Sequence, residues 1–120
     1  MKYLVSLITD ETADAKPASS EAEGVAAEME RFMDELQSSG SLDDWGAKLG
    51  PSAEARTLRY GDEGRAVVTD GPFAESKEQL AGYMVLDCSS LDEAMEWAER
   101  MPLRHGAIEV RPIAAKPDND

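Results

Sequence analysis

The segment that decides the fold is 82–101, GYMVLDCSSLDEAMEWAERM, which passes from a strand pattern directly into a helix pattern. Its first residues form a short apolar run, which is typical of a buried strand. Ser90-Leu91-Asp92-Glu93 then has the spacing of a capping box, in which serine and glutamate each satisfy a free backbone amide at a helix start. Apolar residues follow at helical spacing until Pro102 ends the helix. The segment therefore predicts a strand joined to an amphipathic helix.

The residues on either side complete an alternation of strands and helices. A second capping box, Ser20-Glu21-Ala22-Glu23, begins the other predicted helix, and Gly40 ends it. The remaining predicted elements are a first strand at 1–9, a surface connection at 10–19, a long loop at 41–54 that holds Trp45, a β-hairpin with arms at 56–60 and 65–69, a last strand at 107–113 and a tail at 114–120. We expect one domain over residues 1–113 and a flexible tail over 114–120.

The order of elements predicts an α+β fold. If the arm at 56–60 is an added hairpin strand, the remainder is βαββαβ, the ferredoxin-like arrangement with two helices on one face of an antiparallel sheet. In the first strand, Leu4 and Ile8 alternate with Tyr3, Val5 and Leu7, so both faces of the sheet carry apolar side chains. One layer of helices covers only one face. A face-to-face homodimer is therefore predicted.

Composition excludes several function classes. The 120 residues include 25 Asp and Glu against 12 Lys and Arg, a net charge of −13, which disfavours binding to nucleic acid or to an anionic membrane. Residues 21–38 and 90–101 carry −5 and −3 of this charge, so most of it lies on the solvent faces of the two helices.

The lone cysteine, Cys88, excludes an intramolecular disulfide and a multi-cysteine metal site. It indicates a reducing compartment, and the apolar start of the chain is too short for a membrane span or a signal peptide, so we expect a cytoplasmic protein. Neither a glycine-rich phosphate loop nor a calcium-binding loop is encoded. We therefore expect no cofactor and no metal.

Residues 69–83, TDGPFAESKEQLAGY, resemble the signature of the YCII-related family in its Asp-Gly-Pro-Phe (DGPF) branch. The resemblance continues through 91–98 and 106–112, and to a lesser degree 1–4, so it covers most of the chain. It implies a dimeric α+β barrel of ferredoxin-like protomers. Members of the wider family resemble small-molecule enzymes, including a dehydrochlorinase acting on a chlorinated hydroxyhydroquinone and, by fold, muconolactone isomerases.

The acid–base pair of some members is only partly matched. Those members place a histidine on the first helix and an aspartate in the turn after the next strand. The first helix of this chain has no histidine, and only Asp70 matches the aspartate. The DGPF branch is also often encoded beside extracytoplasmic-function sigma factors, which implies a regulatory role for some members.

Asp70 is the main candidate for catalysis. Its carboxylate either moves a proton on a ligand bound at the mouth of a cleft, or accepts backbone amides in an Asx turn. The ligand-binding candidates are Gly71, Pro72, Phe73, Lys77 and Tyr83. Phe73 fits either a hydrophobic plug or a ligand platform. Lys77 fits either a surface ion pair or an anchor for an anion, and Tyr83 either the core or a phenolic donor. His105 is a weaker catalytic candidate because it lacks partners at metal-ligand spacing.

Two functions are compatible with these residues. The first is a dimer that binds a small organic molecule in a cleft at the DGPF turn, with lyase or isomerase chemistry in which Asp70 transfers the proton. The alternative is a non-enzymatic accessory protein, linked to a sigma factor, that docks a basic protein partner on its acidic helices. The sequence leaves open whether the protein is an enzyme.

Overall fold

The computed structural model of the chain describes residues 1–11, 20–103 and 105–115. The described elements, in chain order, are β1 (Lys2–Asp10), α1 (Ser20–Ser39), β2 (Leu42–Lys48), a short 3-10 turn (Ser52–Glu54), β3 (Arg56–Tyr60), β4 (Ala66–Asp70), β5 (Glu78–Asp87), α2 (Leu91–Glu99) and β6 (Ala107–Pro112). The predicted α+β class is confirmed. Most of the predicted connection at 10–19, the capping side chains of Ser20 and Glu23, and residues 116–120 of the tail lie outside the described part.

The main sheet has four strands in the order β2-β5-β1-β6, and every neighbouring pair is antiparallel. With α1 after β1 and α2 after β5, this is the ferredoxin-like βαββαβ arrangement. Strands β3 and β4 pair only with each other and form a separate two-stranded sheet. The hairpin is thus an insertion between the second and third strands of the ferredoxin-like unit.

The second strand of that unit was predicted wrongly. The segment 41–54 was expected to be a long loop, and one hairpin arm was expected to enter the main sheet, but β2 lies within 41–54 and takes that place. Its pairing with β5 is interrupted twice, between Leu42 and Asp44 and again between Asp44 and Ala47. These irregularities and the charged side chains hide the alternation that identifies a strand.

Gly46 shows how tightly β2 is fitted against its neighbour. Its φ is +67°, and a Cβ atom there would lie 1.9 Å from the carbonyl oxygen of Tyr83. Any side chain would collide with the backbone of β5 and would also be strained by the positive φ. A glycine is therefore required at this interruption of the pairing.

The hydrophobic core lies between one face of the sheet and the two helices. Tyr3, Val5, Met84 and Leu86 form that face, and each is at most 4% exposed. The helical side chains packed against them include Phe32, Leu36, Met29, Met33, Ala94 and Trp97. The ring centroids of Phe32 and Trp97 are 6.1 Å apart in an edge-to-face arrangement, which packs Trp97 against the core.

The opposite face of the sheet is not covered by the helices. Leu4 pairs with Val85, and Ser6 pairs with Tyr83, so their side chains point away from the face formed by Tyr3 and Leu86. None of Leu4, Tyr83 and Val85 belongs to the helix-packed cluster. We call this surface the open sheet face. The expectation that both faces carry apolar residues is confirmed.

The predicted capping box of α2 forms in part. Ser90 is the N-cap residue, and its side chain accepts a hydrogen bond of 3.2 Å from the backbone amide of Glu93. The Glu93 carboxylate does not reach back to Ser90; it accepts hydrogen bonds from the backbone amide of Ser89, at 2.9 Å, and from its hydroxyl. These bonds hold the pKa of Glu93 below its usual value.

The hairpin projects from the rest of the fold. All residues of β4 are exposed, as are Leu58 and Tyr60 on β3. The radius of gyration is 16.6 Å, whereas a globular chain of this length has a value of about 13.6 Å. The hairpin was predicted correctly as a local unit, but its exposure was not. None of the described helices is long and apolar enough to cross a membrane.

Candidate functional site

A cleft of about 550 Å³ opens where β2 ends and β5 begins. Its walls are mostly apolar, with Leu49, Pro51 and Leu80 among them. The polar side chains that line it are those of Thr9, Glu11, Lys48 and Gln79. A volume of this size is in the ordinary range for small-molecule sites, and an apolar wall with few polar groups is their usual composition.

Glu11 holds the two sides of the cleft together. Its carboxylate accepts hydrogen bonds from the backbone amide of Ser52, at 2.8 Å, and from the Ser52 hydroxyl. Its own backbone amide donates to the carbonyl oxygen of Lys77 at 3.0 Å. Glu11 thereby ties the end of β1 both to the 3-10 turn and to the segment that precedes β5. Its carboxylate has a structural role in fixing the cleft.

Two other polar residues of the cleft, Lys48 and Gln79, differ in the contacts of their side chains. The Gln79 side-chain amide donates to the carbonyl oxygens of Ala74, at 2.8 Å, and Ser76, at 3.1 Å, so it fixes the segment after the DGPF turn. The exposed Lys48 ammonium makes no ion pair with any residue in the described part of the chain. Lys48 is therefore a cleft-lining cation that is available to an anion.

The base of the hairpin lies next to this cleft along the chain. Ala53 lines the cleft, and two residues later the carbonyl oxygen of Ala55 accepts a hydrogen bond of 2.7 Å from Gly71. The carbonyl oxygen of Gly71 in turn accepts one of 2.9 Å from the Thr57 hydroxyl. Gly71 has a φ of +103°, which explains why the DGPF turn has a glycine there. The turn therefore closes the base of the hairpin.

Asp70 is the last residue of β4, as expected from the sequence, but it is not buried. Its side chain is 93% exposed, and its nearest charged partner is Arg56, with 3.6 Å between Oδ1 and Nε. Among the described residues no backbone amide donates to its carboxylate, so the Asx turn is not formed. Asp70 also does not line the cleft, so the expected position at a cleft mouth is not formed within one chain. The catalytic role of Asp70 stays a prediction.

Pro72 is half-buried, whereas Phe73 is 73% exposed. The Arg59 guanidinium carbon lies 4.8 Å from the centroid of the Phe73 ring, and Arg59 Nη2 donates to the Phe73 carbonyl oxygen at 2.7 Å. Phe73 is thus held by a cation–π contact on the hairpin and is not a plug within its own chain. The ring remains available as an apolar surface.

The other candidates are dispersed. Lys77 is exposed and contributes its carbonyl oxygen to the hydrogen bond with Glu11. Tyr83 is half-buried on the open sheet face, outside the core cluster. His105 is exposed and lines a different cavity of about 330 Å³, together with Met95 and Leu103. Residues 70–73 lie at the base of the hairpin and Lys77 follows them in the segment before β5, but neither these residues nor His105 line the cleft.

Sequence reasoning missed Lys48, Glu11 and Gln79. Each is a polar residue at or just beyond the end of a strand, and strand ends at one edge of a sheet are where such groups converge. That signal is hidden because the sequence of β2 predicts a loop. No group of three or more potential metal ligands occurs in the described part of the chain. Docking of a partner on the acidic helices stays a prediction.

Comparison with known proteins agrees with the resemblance in the sequence. The profile of the YCII-related domain family matches residues 1–115. The chain is also 38% identical over 117 residues to an uncharacterised protein of Rhizobium meliloti (strain 1021), an alignment that covers 95% of this chain and 93% of that protein.

Proposed function

The chain belongs to the YCII-related domain family, and from this premise we propose that it binds a small anionic organic molecule in the cleft at the hairpin base. The observation that carries the proposal is the combination of a 550 Å³ apolar cleft with the ammonium of Lys48 in its lining, which has no ion-pair partner among residues 1–11, 20–103 and 105–115. A cation beside apolar walls suits a molecule with one carboxylate and a hydrocarbon or aromatic body.

We further propose lyase or isomerase chemistry in which Asp70 transfers the proton. The Asp70 carboxylate would accept a proton from a carbon beside a carbonyl group, and the same carboxyl would return it at another position of the ligand. Support comes from the neighbour of Asp70, Gly71, whose backbone amide bonds the carbonyl oxygen of Ala55, two residues beyond the cleft-lining Ala53. Asp70 itself does not line the cleft. Water competes for an exposed carboxylate, so this chemistry needs a cover over the hairpin base.

The cover that we propose is a second copy of the chain, in a homodimer whose open sheet faces pack together. The half-buried side chains of Leu4 and Tyr83 on that face support this proposal because they lie outside the helix-packed core, whereas Val85 beside them is already only 6% exposed within its own chain. The charges on the face lie at its end, where Lys2 pairs with Asp43, and on the edge strand β6, where Arg111 beside Leu4 pairs with Glu109 beside Ser6. A buried, reduced Cys88 fits a reducing compartment, so the proposal places the protein in the cytoplasm.

The experiment uses muconolactone and a chlorinated hydroxyhydroquinone as probes. Backbone amide NMR shifts report binding, and deuterium incorporation from D₂O into the probe reports proton transfer. We expect muconolactone, which carries a carboxylate, to shift the amides of residues around Lys48 and Gln79. Lys48→Met should weaken its binding at least tenfold, because the only cation that we place in the cleft is lost.

Lys77→Met is the matched control, because Lys77 is also an exposed lysine near the hairpin but does not line the cleft. Asp70→Asn should leave binding and the far-ultraviolet circular dichroism unchanged and abolish deuterium incorporation. Equal weakening by Lys48→Met and Lys77→Met would contradict the proposed anchor. Undiminished incorporation in Asp70→Asn would contradict the proposed role of Asp70.

A further inference from the structure

The hairpin exposes more apolar surface than its own chain explains. The exposed fractions of Leu58, Tyr60, Val67, Val68 and Phe73 lie between 56% and 73%. Monomeric proteins rarely expose contiguous apolar patches of more than a few hundred Å², and an isolated two-stranded hairpin is marginally stable in water. The exposed apolar side chains of the hairpin and its low stability in isolation therefore both favour a partner that covers it.

The two faces of the hairpin differ. The register pairs Leu58 with Val68 and Tyr60 with Ala66, so these residues share one face, which we call the apolar hairpin face. Asp70 lies on the same face, at its base, opposite Arg56. The other face carries Val67 among Thr57, Thr69 and Arg59. That face also has the Phe73 ring against Arg59, so its apolar side chains are mixed with polar and charged ones. Above Arg56 and Asp70, the apolar hairpin face is the more uniformly apolar of the two.

Charge favours a second copy over an acidic or basic partner. Residues 56–70 hold three arginines and three acids, which sum to zero, in a chain whose net charge is −13. Two copies of so acidic a chain repel each other least where they meet through neutral surfaces. The hairpin and the centre of the open sheet face are such surfaces, since the charged pairs named above lie at the margins of the face.

Area points to the same partner. Four strands spaced about 4.8 Å apart, each contributing about seven residues, give the open sheet face a projected area of about 450 Å². A stable interface buries about 800 Å² on each partner. The projected area of the sheet face alone is smaller than this buried surface, and a hairpin of two five-residue strands adds about 160 Å² of projected area. Contact through both brings each copy closer to the size that a stable dimer needs.

We propose that the β3–β4 hairpin is a dimerisation arm, which lays its apolar face on a second copy of the chain beside the sheet-to-sheet contact. In a two-fold dimer each copy gives and receives one arm. Because Asp70 lies at the base of the apolar hairpin face, the second copy also covers Asp70 and shields it from water. This inference rests on the homodimer of the proposed function, and it makes that site incomplete in a single chain.

The test is a pair of adjacent substitutions. Val68→Glu places a charge on the apolar hairpin face, and Val67→Glu places the same charge on the opposite face at nearly equal exposure, 59% against 61%. Sedimentation velocity over a concentration series gives the dimer dissociation constant of each. We expect Val68→Glu to raise it at least tenfold and Val67→Glu to change it less than threefold.

A measurement on the unaltered protein makes the result independent of misfolding in a variant. In a mixture of isotope-labelled and unlabelled chains, filtered NOE spectra select contacts between copies, and we expect such contacts from the methyl groups of Leu58 and Val68. If Leu58 and Val68 give NOE contacts only within one chain, the proposed dimerisation arm is wrong. A dimer equally affected, or equally unaffected, by the two substitutions would overturn the arm while leaving the sheet-to-sheet dimer standing. A monomeric parent protein would overturn both.

Discussion

The main sheet and the hairpin are both antiparallel and rich in apolar residues, yet one is buried by its own chain and the other is exposed. Val5 and Leu86 at the centre of the sheet are at most 1% exposed, whereas Val67 and Val68 in the hairpin are 61% and 59% exposed. The ferredoxin-like unit thus buries the helix-facing side of its sheet with its own two helices. The hairpin, which leads into the DGPF turn, keeps its apolar side chains exposed within the described part of the chain.

The largest expected effect is a difference between the two regions in how much one truncation lowers the free energy of unfolding. Leu36 is fully buried between α1 and the sheet, and Leu36→Ala should lower the free energy of unfolding by about 2–5 kcal/mol, through lost burial and the cavity left behind. Leu58 is 56% exposed, so Leu58→Ala should change that energy by no more than about 0.5 kcal/mol in the dissociated chain.

Urea denaturation at a protein concentration too low for association measures both values. The control is a second series at high concentration, where Leu58→Ala should become destabilising because it weakens the dimer. A large loss from Leu58→Ala in the dilute series would mean that the hairpin is buried within its own chain. That result would remove the contrast between the two regions.

A smaller effect tests the helix start beside the sheet. The hydrogen bonds from Ser89 lower the pKa of Glu93 below its ordinary value near 4.5 in the folded state. Folding is therefore stabilised when the pH is above the pKa that the carboxyl has in the unfolded chain. This contribution is lost as the pH falls through the lower pKa of the folded chain. Ser89→Ala removes the hydroxyl donor, so it should lower Tm slightly at pH 6, and the difference should shrink as the pH falls toward 3.

Thermal unfolding followed by circular dichroism from pH 6 to pH 3 measures this difference, and Ser76→Ala in the connection after the hairpin is the control, since Ser76 does not contact Glu93. A Tm difference for Ser89→Ala that stays constant over this range would show that the hydroxyl acts on the helix in some way other than through the Glu93 charge.

The contrast also explains what the sequence could predict. The segment 82–101 was predicted nearly residue by residue because its strand, its cap and its helix are all local patterns. The hairpin was found from Gly61 and Gly64 at its turn, but nothing local says whether a hairpin joins a sheet or projects from it. Placement depends on β2, whose acidic residues and interrupted pairing give no strand signal.

The candidate site divides in the same way. The DGPF turn was recognised from contiguous residues, and the structure gives Gly71 the positive φ that the turn requires. The cleft beside it could not be predicted, because Lys48 and Gln79 are far apart in sequence and meet only through the pairing of β2 with β5. Local chemistry was thus readable from the sequence, whereas a cavity between distant strands was not.

The most direct test of the account is the mass of the unaltered protein in solution. Sedimentation equilibrium at micromolar concentration should give twice the 13.0 kDa of one chain, because in the proposed dimer the open sheet face and the apolar hairpin face both pack on a second copy. A mass of one chain under these conditions would contradict the homodimer, the dimerisation arm and the shielding of Asp70 together.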